Sequence, residues 1–288
     1  MIAIGTAQFG MKYGITNRSG QTSFKEVEDI SSYAKMKGIN ILDTAPGYGD
    51  AEKVLGNIDL TGFDIITKTP HFKNDNIKID DITLLLQTFE ASLKALKVNK
   101  VKGMLIHNIK DCYKNGSDTL FEALIKLKKN NYVDKIGVSI YDPQDIEQII
   151  HLGIPVDIIQ MPINVFDQRI ITSGWLPKLK EKNVDIHVRS IFLQGILLAE
   201  LNDLQIQHQK IVKGYFEELY VNQLTKLEGA LLFLKQIKEI DSIIVGVNNL
   251  QQFKEIIETY EKIMGLNIKF DFDRFAINDS NIIDPRKW

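Results

Sequence analysis

Eight short β-branched runs, separated by longer stretches of helical periodicity, constrain the fold of this chain more than any other feature. The runs cover residues 2–4, 39–43, 64–67, 101–106, 135–139, 156–160, 184–190 and 242–245. Residues 82–96, 118–129 and 249–263 carry the clearest helical patterns between them. In the first of these, Leu85, Phe89, Leu93 and Leu96 fall at i, i+4, i+8 and i+11 and share one face. Asp81 and Asn249 are expected N-caps, and Gly38 and Gly265 expected helix stops. Regular βα alternation implies a parallel sheet. Eight units in roughly 250 residues predict an α/β fold of the closed (β/α)8 TIM-barrel type.

A doubly wound open sheet is the competing architecture, and it would place a G-x-G-x-x-G turn after strand 1. The turn here reads Gly5-Thr-Ala-Gln-Phe-Gly10 and lacks that spacing. P-loop, Cys-x-x-Cys and His-Glu-x-x-His patterns are absent as well, so no metal site is expected. Without a linker or low-complexity segment, residues 1–288 are expected to form one barrel domain. The one irregular region, 201–223, is polar and has the length of a lid or insertion over the barrel mouth. Basic and acidic residues nearly balance (35 against 37, net −2), which gives no nucleic-acid footprint. Cys112 is the lone cysteine and forms neither an intrachain disulfide nor a zinc site by itself. No leader segment and no apolar run of about 18 residues is visible, so no membrane contact is expected. These features suit a cytoplasmic protein; its oligomeric state stays open.

Three consecutive strands end in titratable side chains. Asp43 closes strand 2, Tyr48 follows in the glycine-rich segment 43–56, Lys68 closes strand 3 and His107 follows strand 4. In a βα barrel these ends share one face, where chemistry sits. A tyrosine near pKa ~10 is a reluctant proton donor. A neighbouring ammonium stabilises the phenolate, each tenfold gain in acidity being worth about 1.4 kcal/mol. A buried lysine needs a counter-charge, for which Asp43 is placed. A neutral histidine can donate to an oxygen that gains charge. The group can thus protonate a carbonyl oxygen while a hydride reaches the carbon. Singly, each residue has a plainer reading: a loop aromatic, a satisfied histidine, a solvated lysine, a turn-forming aspartate. Their joint order at successive strand ends favours catalysis.

Asp43-Thr-Ala-x-x-Tyr48-Gly, the lysine of Ile-Thr-Lys68 and the histidine of Leu-Ile-His107 resemble the catalytic tetrad of the aldo-keto reductase family. Further pieces are similar in order: Gly5-Thr-Ala, Gly137-Val-Ser139, Gln160 with Asn164 and Arg169, Ser190 to Gly195, and Ile244-Val-Gly-Val-Asn-Asn249. The resemblance implies NADP(H) or NAD(H), bound without a Rossmann fold, and reversible carbonyl-to-alcohol chemistry. Tyr48 would be the general acid, Lys68 paired with Asp43 would lower its pKa, and His107 would orient the carbonyl. The cofactor would be held by Gly5, Thr6, Ala7 and Asp43, by Ser139 and Gln160 at the nicotinamide carboxamide, by Arg189, Ser190, Phe192, Gln194 and Gly195, and by Gly246, Val247, Asn248 and Gln252.

The chain departs from the family at several of these positions. Arg189 replaces a tyrosine that stacks under the nicotinamide, and its guanidinium could stack there instead. Arg189 is otherwise expected to find a ligand or carboxylate partner, since burying it unpaired is costly. Ile140 replaces an asparagine, Gln252 the arginine that grips the 2′-phosphate, and Ile256 an adenine-contacting asparagine. Lys254 is a candidate to compensate. The N-terminal hairpin has no room before strand 1.

The substrate is expected to be a small carbonyl compound, with a sugar or sugar derivative allowed. Loops after Phe9, around 71–79 and at 201–223 would select it, Phe9 and Tyr13 serving as pocket wall or packing. His71, His151, His187 and His208 read as structural or surface residues, and Cys112 as inert. Two other functions remain open: a Schiff-base aldolase using Lys68, and a non-catalytic nucleotide-binding redox sensor or subunit.

Overall fold

The computed structural model describes residues 1–288. Its strands are β1 (Ile2–Gly5), β2 (Ile41–Asp43), β3 (Asp64–Lys68), β4 (Val101–Ile106), β5 (Val133–Ser139), β6 (Ile158–Pro162), β7 (Asp185–Arg189) and β8 (Ser242–Gly246). They close into a barrel in sequence order, and each neighbouring pair, including β1 with β8, is parallel. The α/β TIM-barrel reading holds. β6 begins two residues later than the apolar run suggests, although the Asp157 N–H already donates to Ile136 O at 2.7 Å. β5 begins two residues earlier, where Val133 pairs with Val101.

Helices follow the strands as expected, with local differences at their ends. Helix Ile79–Leu96 starts before Asp81; the Asp81 carboxylate instead reaches back to accept the Lys78 N–H at 2.9 Å. Asn249 caps helix Leu250–Gly265 by accepting the Gln252 N–H at 2.9 Å. Gly38 follows helix Phe24–Met36 at φ +68°, a left-handed stop that glycine takes without strain. Gly265 is the last helical residue rather than a left-handed stop.

The polar segment 201–223 is ordered, not irregular. A 3-10 turn, Leu201–Asp203, leads into helix Ile206–Val221. That helix buries His208, Val212, Tyr215 and Leu219, spaced i, i+4, i+7 and i+11. Two of the four are not aliphatic, which hid the period in the sequence.

Inside the barrel, Ile66, Leu105 and Ile158 pack with Ile41. Gly103 leaves their space free: a Cβ there would lie 2.7 Å from Ile66 Cδ1. The larger apolar core fills the shell between strands and helices. No helix is long and apolar enough to cross a membrane. Parallel closure puts all eight C-terminal strand ends on one rim, and Asp43, Lys68, Ser139, Arg189 and Gly246 are each the last residue of their strand.

Candidate active site

Two glycines fix the loop that carries Tyr48. A Cβ on Gly10 would lie 1.9 Å from the Tyr48 carbonyl oxygen, and one on Gly49 would lie 2.4 Å from the Gly10 carbonyl oxygen. Gly49 also sits at φ +58°. The Tyr48 N–H donates to Ala45 O at 3.0 Å, and the Ala51 N–H donates to Tyr48 O at 3.1 Å. The β1 and β2 loops are thus pressed backbone to backbone, which holds the Tyr48 ring at the rim. Its phenol lines the central cavity.

Behind Tyr48 lies a buried ion pair. Lys68 Nζ is 2.5 Å from both Asp43 carboxylate oxygens and donates to Thr44 O at 3.0 Å. Gln160 Nε2 donates to the same carboxylate at 3.2 and 3.0 Å. Lys68 is 1% exposed and its three N–H bonds are all used. A Schiff-base nucleophile needs a free amine facing the cavity, so the aldolase reading does not fit. Burial pushes the Lys68 ammonium down and Asp43 opposes it. Nζ lies 4.9 Å from the Tyr48 ring centroid.

The electrostatics of Tyr48 differ from the sequence expectation. Burial pushes its phenol up, Asp43 adds to that rise, and Arg189 is the cation that opposes it. His107 stands edge-on to Tyr48 with ring centroids 5.8 Å apart. Burial first, then Lys68, His71 and Arg189, push its imidazole down to about 2, so it is neutral at ordinary pH. Its Nδ1 is buried without a partner.

These groups face a cavity of about 1530 Å³. The cavity also reaches Gly5, Thr6, Ala7, Ser139, Gln160, Arg189, Ser190, Phe192, Gln194, Gly195, Gly246, Asn248 and Gln252. Of the residues expected there, Lys68 and Val247 stand behind the wall; Val247 O accepts the Thr22 hydroxyl at 3.4 Å. After β7 the backbone takes positive φ at Ser190, Leu193, Gln194 and Gly195. The Ile191 and Phe192 N–H groups find no acceptor in the chain, and unpaired successive amides of this kind suit an anion. Asn164 ties this loop down by donating to Ser190 O at 3.2 Å.

Arg189 has no carboxylate partner, contrary to one of the two expectations for it. Nη2 donates to Ile140 O at 2.9 Å, and the guanidinium lies on the Tyr141 ring, Cζ 4.0 Å from its centroid. Arg169 belongs to the scaffold instead, paired with Asp167 and Asp142 and donating to Tyr141 O. Gln252 Oε1 is engaged by the Asn248 N–H at 2.9 Å. Lys254 Nζ lies 5.5 Å from the Tyr33 ring centroid and is not among the cavity residues. Phe9 is fully buried and serves packing, whereas Tyr13 lines the cavity. Cys112 is buried, and burial pushes its thiol up.

Sequence reasoning missed His71, Tyr141 and Arg286. The His71 ring lies 4.6 Å from that of His107, and Arg286 comes from the far C-terminal segment to rest 3.4 Å from the Tyr141 centroid. His71 and Tyr141 each lie within three residues of a strand end, a usable signal. Nothing in the sequence points to Arg286.

Three comparisons bear on the family and the fold. The model of the Aldo/keto reductase family matches residues 1–267. An uncharacterized oxidoreductase of Schizosaccharomyces pombe is 34% identical over 154 residues, covering 48% of this chain and 54% of that protein. The chain therefore spans about half the length of the curated relative it matches. An aldo-keto reductase of Bacillus halodurans, solved in its holo form, superposes with a TM-score of 0.74 at 18% identity. That alignment covers 100% of this chain and 95% of the other, and shows a shared fold.

Proposed function

We propose, since the chain belongs to the aldo/keto reductase family, that it is an oxidoreductase interconverting a small carbonyl compound and its alcohol with NAD(H) or NADP(H). The observation that carries this reading is the convergence of Tyr48, His107 and Asp43 on one cavity, with Lys68 sealed behind Asp43.

The chain's residues fit the cofactor. A cavity of about 1530 Å³ exceeds the roughly 300–1,000 Å³ of a usual small-ligand site, leaving room for a dinucleotide and a substrate together. The free Ile191 and Phe192 amides suit its pyrophosphate, and Ser139 and Gln160 its carboxamide. When bound, the nicotinamide supplies the hydride. Tyr48 gives its phenolic proton to the carbonyl oxygen, and burial keeps that proton in place beforehand. His107, neutral, offers a ring N–H to the same oxygen. The Lys68–Asp43 pair holds the floor rigid, and Arg189 stabilises the phenolate that Tyr48 becomes.

Local charges favour NAD(H). Helix Leu250–Gly265 has its N-terminus closed by Glu26, whose Oε2 accepts the Leu250 N–H at 2.6 Å. Glu255 lines the cavity nearby. A 2′-phosphate there would meet the Glu255 carboxylate, while Lys254 lies against the Tyr33 ring. Residues 1–288 are read as one catalytic unit, with 201–223 as a lid latched by the Arg18–Asp203 ion pair at 2.9 Å. A buried, reduced Cys112 suits the cytoplasm.

The test is turnover of simple aldehydes, followed by loss of reduced cofactor. Tyr48→Phe should lower kcat by ~10²–10⁴-fold. A Tyr48→Phe enzyme with undiminished turnover would sink this reading.

A further inference from the structure

We propose that the carbonyl substrate carries an oxyanion, a carboxylate or a phosphate, received by Arg286 and Arg189 beside Tyr141; this rests on the carbonyl-reducing reading above. Both guanidinium groups lie on one ring, Arg286 Cζ at 3.4 Å and Arg189 Cζ at 4.0 Å from the Tyr141 centroid. All three residues line the cavity that holds Tyr48. Two guanidinium groups against one ring concentrate positive charge on this stretch of the cavity wall, which an oxyanion offsets.

Both have donors to spare. Arg189 has no carboxylate partner; beyond Ile140 O it makes only a 3.4 Å contact with Ser190 Oγ. Arg286 is held by Asp284 through Nε and Nη2, leaving Nη1 without a partner. Acidic groups near the ring are committed elsewhere. Asp142 and Asp167 are paired with Arg169, and Asp145 accepts the Tyr113 hydroxyl and the Tyr141 and Asp142 N–H groups. Among the cavity carboxylates, Asp43 is engaged by Lys68, Glu200 by Lys226 and Asp203 by Arg18, while Glu255 sits on the helix after β8. Guanidinium forks match the planar spacing of carboxylate and phosphate oxygens. A neutral aldehyde would leave these donors unused.

The experiment compares kcat/KM for two matched pairs: butanal with 4-oxobutanoate, and glyceraldehyde with glyceraldehyde 3-phosphate. At least one anionic member should be favoured about tenfold or more, and the pair that shows it separates carboxylate from phosphate. Arg286→Gln should cut that anionic-to-neutral ratio roughly 10- to 100-fold, the usual span for a charge-assisted hydrogen bond. Arg286→Lys should keep part of it. Equal Tm values for the Gln and Lys variants show that lost recognition, not a loosened C-terminal segment, is the cause. Equal kcat/KM within both pairs overturns the proposal. Should no aldehyde react with either cofactor, the carbonyl-reducing reading fails on its own. Calorimetric titration with succinate and with inorganic phosphate then decides the anion site: binding weakened by Arg286→Gln supports it, and no binding of either overturns it.

Discussion

Lys68 and Asp43 form a closed pair: one ammonium lies 2.5 Å from both oxygens of one carboxylate, and the two side chains are 1% and 4% exposed. The pair is the floor under Tyr48. Burial and the Asp43 charge hold the Tyr48 phenol up, and Arg189 is the cation that opposes them.

Breaking the pair on one side should therefore damage folding. Asp43→Leu leaves an uncompensated buried ammonium, and Lys68→Met an uncompensated carboxylate. Each should cost about 3–5 kcal/mol in urea unfolding, whereas the double variant should cost less than their sum. Additive costs would show that the two charges do not depend on each other.

His107 should make the fold acid-sensitive. Its folded pKa of about 2 lies below the ordinary 6.5. Below pH 6.5 the unfolded chain binds a proton that the folded chain does not, so stability falls as pH drops through this window. The slope from this group approaches about 1.4 kcal/mol per pH unit well below 6.5. His187, also lowered by burial, adds the same sign. Unfolding free energies at pH 5 and pH 7 should differ less in His107→Asn than in the parent. An unchanged difference would mean that His107 titrates normally.

Strand order and the four rim residues are legible in the sequence because parallel barrel strands are nearly continuous apolar runs with abrupt polar ends. The helix Ile206–Val221 is hidden there because His208 and Tyr215 occupy half of its buried positions. Arg189 stands out as an oddity, but its partners do not. Tyr141 and the Ile140 carbonyl belong to the next but one strand end, and Arg286 lies 97 residues further along the chain (286 − 189). Periodicity carries local burial, and such a cluster is a tertiary fact.

The glycines under Tyr48 should matter for turnover more than for folding. Gly10→Ala places a methyl 1.9 Å from Tyr48 O and 2.3 Å from Ala51 N, so one loop has to move. A shift of about 1 Å in a catalytic group can cost ~10²-fold in rate. The expected result is a large fall in kcat with Tm lowered by only a few degrees, as a shift confined to the two rim loops spares the strands of the barrel. A Gly10→Ala enzyme with parental kcat would show that the loop contact does not place the phenol.

Cofactor choice should follow the charges around helix Leu250–Gly265. Glu26 closes that helix N-terminus through Leu250, and Gln252 spends its carbonyl on the Asn248 N–H. A 2′-phosphate, carrying more than one negative charge, would lie beside Glu255, near the helix N-terminus that Glu26 closes, with Lys254 turned to the Tyr33 ring. NADH should therefore have the lower KM, by about tenfold or more, since one poorly placed charge costs on the order of 1.4 kcal/mol. Gln252→Arg with Glu255→Gln should narrow the gap by lowering KM for NADPH while leaving KM for NADH nearly fixed, because the added guanidinium meets only the phosphate. Glu26→Gln keeps the acceptor to Leu250 and removes the charge, so it should act in the same direction with the fold intact. A parent enzyme with equal KM for both cofactors would show that these carboxylates do not reach the 2′-position.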